Sequence, residues 1–297
     1  MKKVFIEASG SMVSAFMIEA IKSAGYKSVA SDISEDTVGK YLADEFIQVP
    51  SVDDPSLWDK KIKLLKNNKI DVVFPSFDDT ILGWASRADD LRYHGIHVVV
   101  SSIETVDVFS DKWKTYCFFN DHGIPTPKTS LSQDFPLVKP LNGRGAIGVR
   151  LEEKSVPMEG LVSQEVLNGI EYTVDVLCDF QSRPVYIVPR LRKGVIAGKS
   201  TKGKVQTHQK IETLVRQICE KVQFRGPINL QCFELDNGEI KFIEINPRVA
   251  GGMALSFAAT DNWVEIVIEY FLENLSYQSK PIQDGKCMYR YYKEVYV

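Results

Sequence analysis

The stretch that decides the fold is Pro227–Gly252, which reads PINLQCFELDNGEIKFIEINPRVAGG. Near its middle, Asn237-Gly238 separates two runs that are rich in β-forming residues. This dipeptide is typical of a type I′ hairpin turn, because both of its residues tolerate a positive φ. The stretch therefore predicts a two-stranded antiparallel ribbon in which Asp236 pairs with Glu239.

The predicted register brings polar side chains to one face of this ribbon. Counted outward from the turn, Gln231 lies opposite Glu244, and Asn229 lies opposite Asn246. Side chains alternate along a strand, so these four residues share a face. A carboxylate with amides suits a hard cation that prefers oxygen ligands, and Arg248 follows directly to hold phosphate oxygens. The alternative is a solvated hairpin face. The opposite face would carry the apolar set Leu230, Cys232, Ile243 and Ile245.

Composition excludes several classes of protein. The chain has 297 residues, of which 44% are hydrophobic and 25% charged, as is usual for a soluble globular protein. A net charge of −3 argues against nucleic acid as the main partner, since a polyanion requires a basic face. No run approaches the roughly 18 apolar residues of a membrane span, and the N-terminus is interpreted as a β-strand instead of a signal peptide.

The cysteines and histidines do not form a metal or disulfide pattern. The five cysteines are scattered, odd in number and without CxxC spacing, and the four histidines show no HExxH arrangement. Reduced core thiols in a cytoplasmic protein are therefore expected, without zinc or disulfide bonds.

The first hundred residues alternate between strand and helix. A strand at 3–8, a helix at 13–24 and a strand at 27–31 form a βαβ opening, and the alternation continues to a strand at 96–100. This pattern predicts a doubly wound parallel domain over residues 1–104. Ser9-Gly10-Ser11 and Asp78-Asp79 follow strands of this sheet, where a ligand binds or where a turn and a helix cap suffice. The motif GxGxxG is missing, which argues against a dinucleotide site.

The rest of the chain is richer in hairpins. A single helix over 105–123 carries Lys112, and a short strand ends at Lys139 before the glycine-rich segment 141–150. That segment predicts a hairpin whose backbone amides could cover phosphates. Further predicted elements are strands at 161–167, 171–178, 186–192 and 288–297, helices at 211–222 and 263–271, and a mobile basic loop at 193–204.

The order of these motifs resembles that of the ATP-grasp superfamily. The similarity rests on the Val-Lys-Pro strand, the glycine-rich hairpin, the runs EYTVDV and NLQ, and finally EINPR. It is strongest to the large subunit of carbamoyl-phosphate synthase and to single-module carboxylate–amine ligases. The resemblance implies a pre-ATP-grasp domain at 1–104, a small ATP-grasp subdomain at 105–183 and a large one with antiparallel sheets at 184–297.

The resemblance also implies roles for individual residues. Magnesium (or manganese) ligands would be Gln231, Glu244 and Asn246, and the residues at the reacting groups would be Arg248, Lys139 and Arg190, with Arg192 beside them. Nucleotide contacts would come from Lys112, Lys139, Gly143, Arg144, Gly145, Gln164, Glu165, Val166, Leu167 and Glu171.

The implied activity is ATP-dependent joining of a small-molecule carboxylate to an amine through an acyl phosphate. A carboxylate or carbamate kinase and a non-catalytic ATP-binding protein are the alternatives. The identity of the substrates is not predicted, and a homodimer is left open. The chain carries one grasp module, which argues against full carbamoyl-phosphate synthesis by this chain alone.

Overall fold

The computed structural model describes residues 1–143, 145–196 and 199–297. The predicted nucleotide-binding residue Arg144 lies outside these residues. The strands are β1 Lys3–Ile6, β2 Lys27–Asp32, β3 Glu45–Gln48, β4 Val72–Phe74, β5 His97–Val98, β6 Thr129–Ser130, β7 Leu137–Pro140, β8 Arg150–Leu151, β9 Leu161–Gln164, β10 Gly169–Cys178, β11 Pro184–Ile196, β12 Lys199–Val205, β13 Gly226–Leu235, β14 Ile240–Asn246 and β15 Cys287–Tyr289.

The helices follow the same order along the chain. They are α1 Ser14–Ser23, α2 Val38–Leu42, α3 Leu57–Asn67, α4 Asp78–Ala85, α5 Ala88–Tyr93, α6 Ile103–Ser110, α7 Lys112–Asp121, α8 Gln209–Lys221, α9 Ala254–Ala259 and α10 Trp263–Ile266. A 3-10 turn at Gly251–Met253 precedes α9, and a π-helical turn at Val267–Phe271 extends α10. No helix among the described residues is long and apolar enough to cross a bilayer.

The first five strands form one parallel sheet with the order β3-β2-β1-β4-β5. Parallel strands need helical crossovers, and α1 and α3 pack their apolar residues on opposite faces of this sheet. The sequence-based prediction of a doubly wound N-terminal sheet is confirmed. The sheet places the ends of β1 and β4, and thus the start of α4, toward the remainder of the chain.

Two antiparallel sheets form the rest of the molecule. Six strands lie in the order β14-β13-β10-β11-β12-β15, and four lie in the order β6-β9-β7-β8. Their antiparallel pairing confirms the mixed fold class. Strand β10 joins β13 in the larger sheet, so that sheet draws strands from both sides of residue 183. The predicted domain bounds at 104/105 and 183/184 stay a prediction.

The two faces of the six-stranded sheet pack differently. Alternate residues such as Val174 and Leu230 bury against α8, α6 and α7. On the other face, Leu177 and Val188 pack with α1 and α10, which joins this sheet to the N-terminal domain. Further along the same strands, the residues on this second face are polar. The candidate site therefore lies on the same face as the apolar contact with α1 and α10.

The ribbon of β13 and β14 has the predicted pairing but a different turn. Leu235 N donates to Glu239 O at 2.9 Å, which leaves a three-residue loop in which Gly238 has φ 75°. The predicted two-residue turn was wrong, because the loop has one more residue, Asp236. A β-bulge after Gln231 then adds a residue to β14 and restores the register, so Gln231 lies opposite Glu244 and Asn229 opposite Asn246.

The bulge changes which apolar residues of β14 reach the core. Phe242, and not Ile243, lies opposite Cys232 and is fully buried. Ile243 was predicted for the buried face, but it remains half-buried because it is the extra residue of the bulge. Leu230, Cys232 and Ile245 are buried as predicted.

Three predicted elements are corrected by the structure. The single helix at 105–123 is two helices, because the Asp111 side chain accepts hydrogen bonds from Trp113 N and Lys114 N and starts α7.

The basic loop at 193–204 is also corrected, since most of it is strand. Strands β11 and β12 pair antiparallel through Lys193↔Lys202 and Arg192↔Gly203. The final strand is limited to Cys287–Tyr289 instead of extending to Val297. Pairing with a neighbouring strand decides where each of these strands begins and ends, and local composition does not contain that information.

Candidate active site

The predicted metal ligands lie together on the exposed face of the ribbon. Gln231 and Glu244 are directly opposite each other, and Asn246 Nδ2 donates to Glu244 Oε1. Asn246 Oδ1 accepts a hydrogen bond from Arg248 at 3.3 Å. All three side chains therefore present oxygen atoms to one small region, as the register predicted.

This donor set fits Mg²⁺ in its chemistry. Magnesium prefers oxygen ligands, keeps several waters, and is held in nucleotide sites by one or two carboxylates together with phosphates. Glu244 supplies a carboxylate, while Gln231 and Asn246 supply amide oxygens. Among the described residues, no group of three or more His, Cys, Asp and Glu side chains gathers to hold a metal. An ion at the ribbon would thus need phosphate oxygens to complete its shell.

Lys112 lies at the first position of α7, next to the glycine-rich hairpin. Its backbone N donates to Leu141 O at 2.9 Å, and its Nζ lies 3.4 Å from Gly143 O. Strands β7 and β8 pair on either side of the loop, which confirms the predicted hairpin. Gly143 and Gly145 have φ of 130° and 62°, a region that glycine adopts without strain.

Lys139, at the end of the same hairpin, contacts a neighbouring strand. Its Nζ donates to Gln164 Oε1 at 2.6 Å, and Gln164 Nε2 donates to Thr129 Oγ1 at 2.9 Å. Gln164 was predicted for the adenine hinge, and its buried side chain here orients Lys139. A contact of Gln164 with adenine stays a prediction.

Charges couple these lysines to the ribbon. The pKa of Lys139 is lowered to about 8, chiefly by burial, which the charge of Glu244 opposes and the positive charge of Lys112 reinforces. Burial also lowers the pKa of Lys112, again opposed by Glu244. Both lysines and Glu244 therefore lie within reach of one another's charges. A bound phosphate would favour the charged form of both lysines.

The other predicted hinge residues follow β9. Glu165 accepts a hydrogen bond from Lys241 Nζ at 2.5 Å, an ion pair that ties this segment to β14. Val166 is exposed, and Leu167 is half-exposed. The segment thus borders the ribbon, and its role in binding adenine stays a prediction.

Glu171 and Arg192 form an ion pair across β10 and β11. Arg192 also donates to Gln231 Oε1 at 3.3 Å, so a chain of contacts joins the predicted ribose acid to the predicted metal ligand. This arrangement agrees with a single site that spans three neighbouring strands.

Arg190 is held by a buried network that the sequence analysis missed. Its Nε donates to Asp175 Oδ2 at 2.7 Å, and the same carboxylate accepts from Asn229 Nδ2 and Ser256 Oγ, both at 2.6 Å. Asp175 is fully buried. An acidic residue inside the apolar run YTVDVLC was the available signal, because a buried carboxylate needs a partner.

Arg248 reaches across to the N-terminal domain. Its Nε and NH2 donate to the two carboxylate oxygens of Asp78, at 2.5 and 2.7 Å. Asp78 opens α4, whose N-cap is Phe77 without a side-chain cap bond. The choice left open for Asp78, a ligand contact or a helix cap, is therefore resolved as an ion pair with the site arginine.

Two family models match separate parts of the chain. Residues 7–99 match the family described as "PylC-like, N-terminal domain". Residues 157–294 match the family described as "ATP-grasp in the biosynthetic pathway with Ter operon". The two matches lie on the parallel sheet and on the part that contains the six-stranded sheet.

Several carbamoyl-phosphate synthases are similar to this chain in sequence. A carbamoyl-phosphate synthase of Methanobrevibacter smithii is 25% identical over 272 residues, covering 80% of this chain and 72% of the relative. The chain spans only 19% and 26% of two carbamoyl-phosphate synthase large chains, from Bacillus subtilis and Haemophilus ducreyi.

Solved structures share the fold. An L-amino acid ligase from Bacillus licheniformis has a TM-score of 0.73 at 18% identity, with 92% of this chain and 74% of that chain covered. The biotin carboxylase domain of 2-oxoglutarate carboxylase from Hydrogenobacter thermophilus, solved as a dimer with MgADP, ADP and bicarbonate, has a TM-score of 0.70 at 17% identity, with 90% and 69% covered. Residues 7–99 thus match a PylC-like N-terminal domain, residues 157–294 match an ATP-grasp domain, and the fold is shared with these solved structures.

Proposed function

We propose that the protein is an ATP-dependent ligase that joins a small-molecule carboxylate to an amine. One observation carries the proposal. The oxygen-bearing side chains of Gln231, Glu244 and Asn246 lie together on one face of the sheet, beside Arg248. The charge of Glu244 also acts on Lys112 and Lys139. Such a face suits the outer phosphates of a nucleotide with its metal. The ligases among the relatives support this choice.

Each residue then has a physical task. Lys139 and Lys112 bind phosphate oxygens from the side of the glycine-rich hairpin, and Arg248 offsets charge on the transferring group. Mg²⁺ held by the ribbon would supply Lewis-acid neutralisation of the phosphates. Glu165 to Leu167 border the nucleotide base, and Glu171 lies where ribose hydroxyls are bound.

The proposed ligation has two steps. A carboxylate oxygen attacks the γ-phosphorus of ATP, and the bond between this phosphorus and the bridging oxygen of the β-phosphate breaks. The products of this step are an acyl phosphate and ADP. The amine then attacks the acyl carbon, phosphate departs with the bonding pair, and the nitrogen loses a proton. The hairpin formed by β7 and β8 would help to exclude water, because an exposed acyl phosphate hydrolyses.

A kinase that releases the acyl phosphate is the second candidate. The same site would catalyse the first step, because phosphoryl transfer to a carboxylate does not involve the amine. Product analysis separates the two functions, because a kinase consumes ATP at full rate without an amine and yields a product that hydroxylamine traps.

The test is a screen of amino acids and small carboxylates, each with and without an amine, for ADP formation with MgATP. ADP that depends on both substrates, with oxygen-18 transferred from the carboxylate to phosphate, supports ligation. Glu244→Ala removes the ribbon carboxylate and is expected to abolish this ADP formation. Glu239→Ala is the matched control, because Glu239 is exposed at the turn of the same ribbon. Equal rates in the two variants would refute the metal assignment.

Cellular setting and assembly are part of the same proposal. Five free cysteines, three of them buried, agree with a reducing cytoplasm. A homodimer is proposed only as the assembly to test by light scattering, since the biotin carboxylase domain named above was solved as a dimer.

A further inference from the structure

Glu7 directly follows β1 and is paired with a buried cation inside the N-terminal domain. Its Oε2 accepts a hydrogen bond from Lys61 Nζ of α3 at 3.0 Å, and the side chains of Glu7 and Lys61 are only 4% and 3% exposed. The Lys61 ammonium also lies 4.8 Å from the ring centroid of Trp84. Burying an ion pair costs desolvation, and an apolar pair of similar volume is often as stable. Stability alone therefore does not account for a carboxylate at this position.

The remaining contacts of Glu7 fix the start of α4. Its Oε1 accepts from Thr80 Oγ1 at 2.8 Å and from Ser76 N at 3.3 Å, and its Oε2 accepts from Trp84 Nε1 at 3.0 Å. The Ser76 hydroxyl donates to Glu7 O at 3.0 Å. Thr80 and Trp84 are four residues apart, so they share one face of the helix. One buried carboxylate thus holds both the segment that enters α4 and the helix itself.

The first residue of α4, Asp78, belongs to the surroundings of the candidate site. It accepts two hydrogen bonds from the guanidinium of Arg248, and Arg248 NH2 donates to Asn246 Oδ1. Burial lowers the pKa of Lys112, and the charge of Asp78 is one of those that oppose this change. The position of α4 therefore decides where a carboxylate stands among the charges of the site.

We propose that Glu7 is a positioning residue, which sets the orientation of Arg248 through α4 and Asp78. Its expected effect on turnover rests on the proposed ligase function, whereas its effect on the ion pair rests on the contacts alone. Those contacts form a continuous path from the buried carboxylate, through the first turn of α4, to the guanidinium beside the ribbon. A small displacement of a group that orients a reacting phosphate lowers turnover more than binding.

The first test is a mutant cycle that requires neither nucleotide nor turnover. Urea unfolding of the unmodified chain, Asp78→Asn, Arg248→Gln and the double variant measures the coupling of the two residues, expected to be about 10-fold in the unfolding constant. The same four chains are then prepared with Thr80→Val, which keeps the side-chain shape and removes the hydroxyl that donates to Glu7. The coupling should fall to about 3-fold or less, because α4 no longer holds Asp78 against Arg248.

Thr213→Val is the matched control, since Thr213 is an exposed threonine whose hydroxyl donates within α8. The control should leave the coupling unchanged, whatever its effect on stability. A second disconnected chain, Glu7→Gln with Lys61→Met, removes both buried charges together and should reduce the coupling as Thr80→Val does. A coupling that stays at about 10-fold in either disconnected chain, or that is absent from the unmodified chain, would overturn the proposal.

Turnover distinguishes this inference from the ligase proposal. With substrates from the screen, Thr80→Val should lower kcat about 3-fold to 10-fold and change the KM of ATP by less than about 2-fold. In the Asp78→Asn background, the same substitution should change kcat by less than about 2-fold, because the path is already broken. An equal loss of kcat in both backgrounds would refute the route through Asp78. Absence of turnover in the unmodified chain would count against the ligase function, and the unfolding cycle would still decide the role of Glu7.

Discussion

Arg248 and Asp78 form a two-point ion pair that joins the ribbon of β13 and β14 to the N-terminal domain, with N–O distances of 2.5 and 2.7 Å. The two residues are 170 positions apart in the chain. Asp78 also lies in the first turn of α4, where the helix dipole favours a negatively charged side chain. The orientation of the site arginine therefore depends on how the two parts of the protein pack.

Replacing Asp78 by Asn should impair turnover more than nucleotide binding. Asn keeps the shape of the side chain but loses the charge that orients Arg248, so we expect kcat to fall about 10-fold, which is about 1.4 kcal/mol of barrier. Steady-state kinetics and MgADP titration measure the two effects. Asp89→Asn removes an exposed pair with Arg92 and serves as the control. A change confined to the affinity for MgADP would contradict the orienting role.

The stability of the protein should depend on pH through Lys139. Its pKa in the folded state is about 8, below the usual value of 10.5, so the unfolded chain binds more protons between these values. The cost of burying charged Lys139 is therefore fully present below pH 8 and fades as the pH rises toward 10.5. Without nucleotide, Lys139→Met should be more stable than the unmodified chain at pH 7, by a margin that shrinks at pH 10.

Urea unfolding at the two pH values measures this margin. Lys154→Met, at an exposed position, is the control and should show a margin independent of pH. The same Lys139→Met variant should bind MgADP more weakly, because the phosphate loses a cation. A margin that grows between pH 7 and pH 10 would refute the assignment to Lys139.

Neighbouring glycines should respond differently to alanine. At Gly252 the new Cβ meets the guanidinium of Arg190, whereas at Gly251 it lies 3.6 Å from Met12 Cβ, an ordinary contact. Neither glycine has a positive φ, so backbone strain is not the difference. We expect Gly252→Ala to cost about 1–3 kcal/mol of unfolding free energy or to displace Arg190. Gly251→Ala should cost less than half as much.

Denaturant titration and turnover assays measure both glycine variants side by side. Loss of turnover in Gly252→Ala with retained MgADP binding would place the damage at the substrate end of the site. Equal stability and equal turnover of the two variants would show that Arg190 moves freely, against the packing described above.

The ribbon shows how a sequence pattern can predict the pairing of two residues without predicting the path between them. Counting outward from the Asn-Gly turn correctly predicted that Gln231 lies opposite Glu244. The loop is nevertheless one residue longer than a two-residue turn, and a bulge compensates for it. Burial of Phe242 in place of Ile243 selects this solution, since the larger aromatic side chain fills the core more completely.

Helix limits were less predictable than strand faces. The periodicity of apolar residues alone predicted one helix over 105–123. In the structure, Asp111 lies at the end of α6, and its carboxylate caps the start of α7. This break sets Lys112 at a helix start beside Gly143 instead of at mid-helix. A capping side chain inside an apparently continuous pattern is a local signal, but its effect depends on packing of both helices.

The sequence by itself determined the parallel N-terminal sheet, the ribbon face and the glycine-rich hairpin, because alternation, turn residues and helical spacing act between near neighbours. Only the tertiary structure decided that Asp78 holds Arg248, that Gln164 orients Lys139, and that Arg290 lies beside Gly251. Those contacts join residues that are distant in the chain, and their formation depends on which faces of separately folded sheets and helices bury against each other.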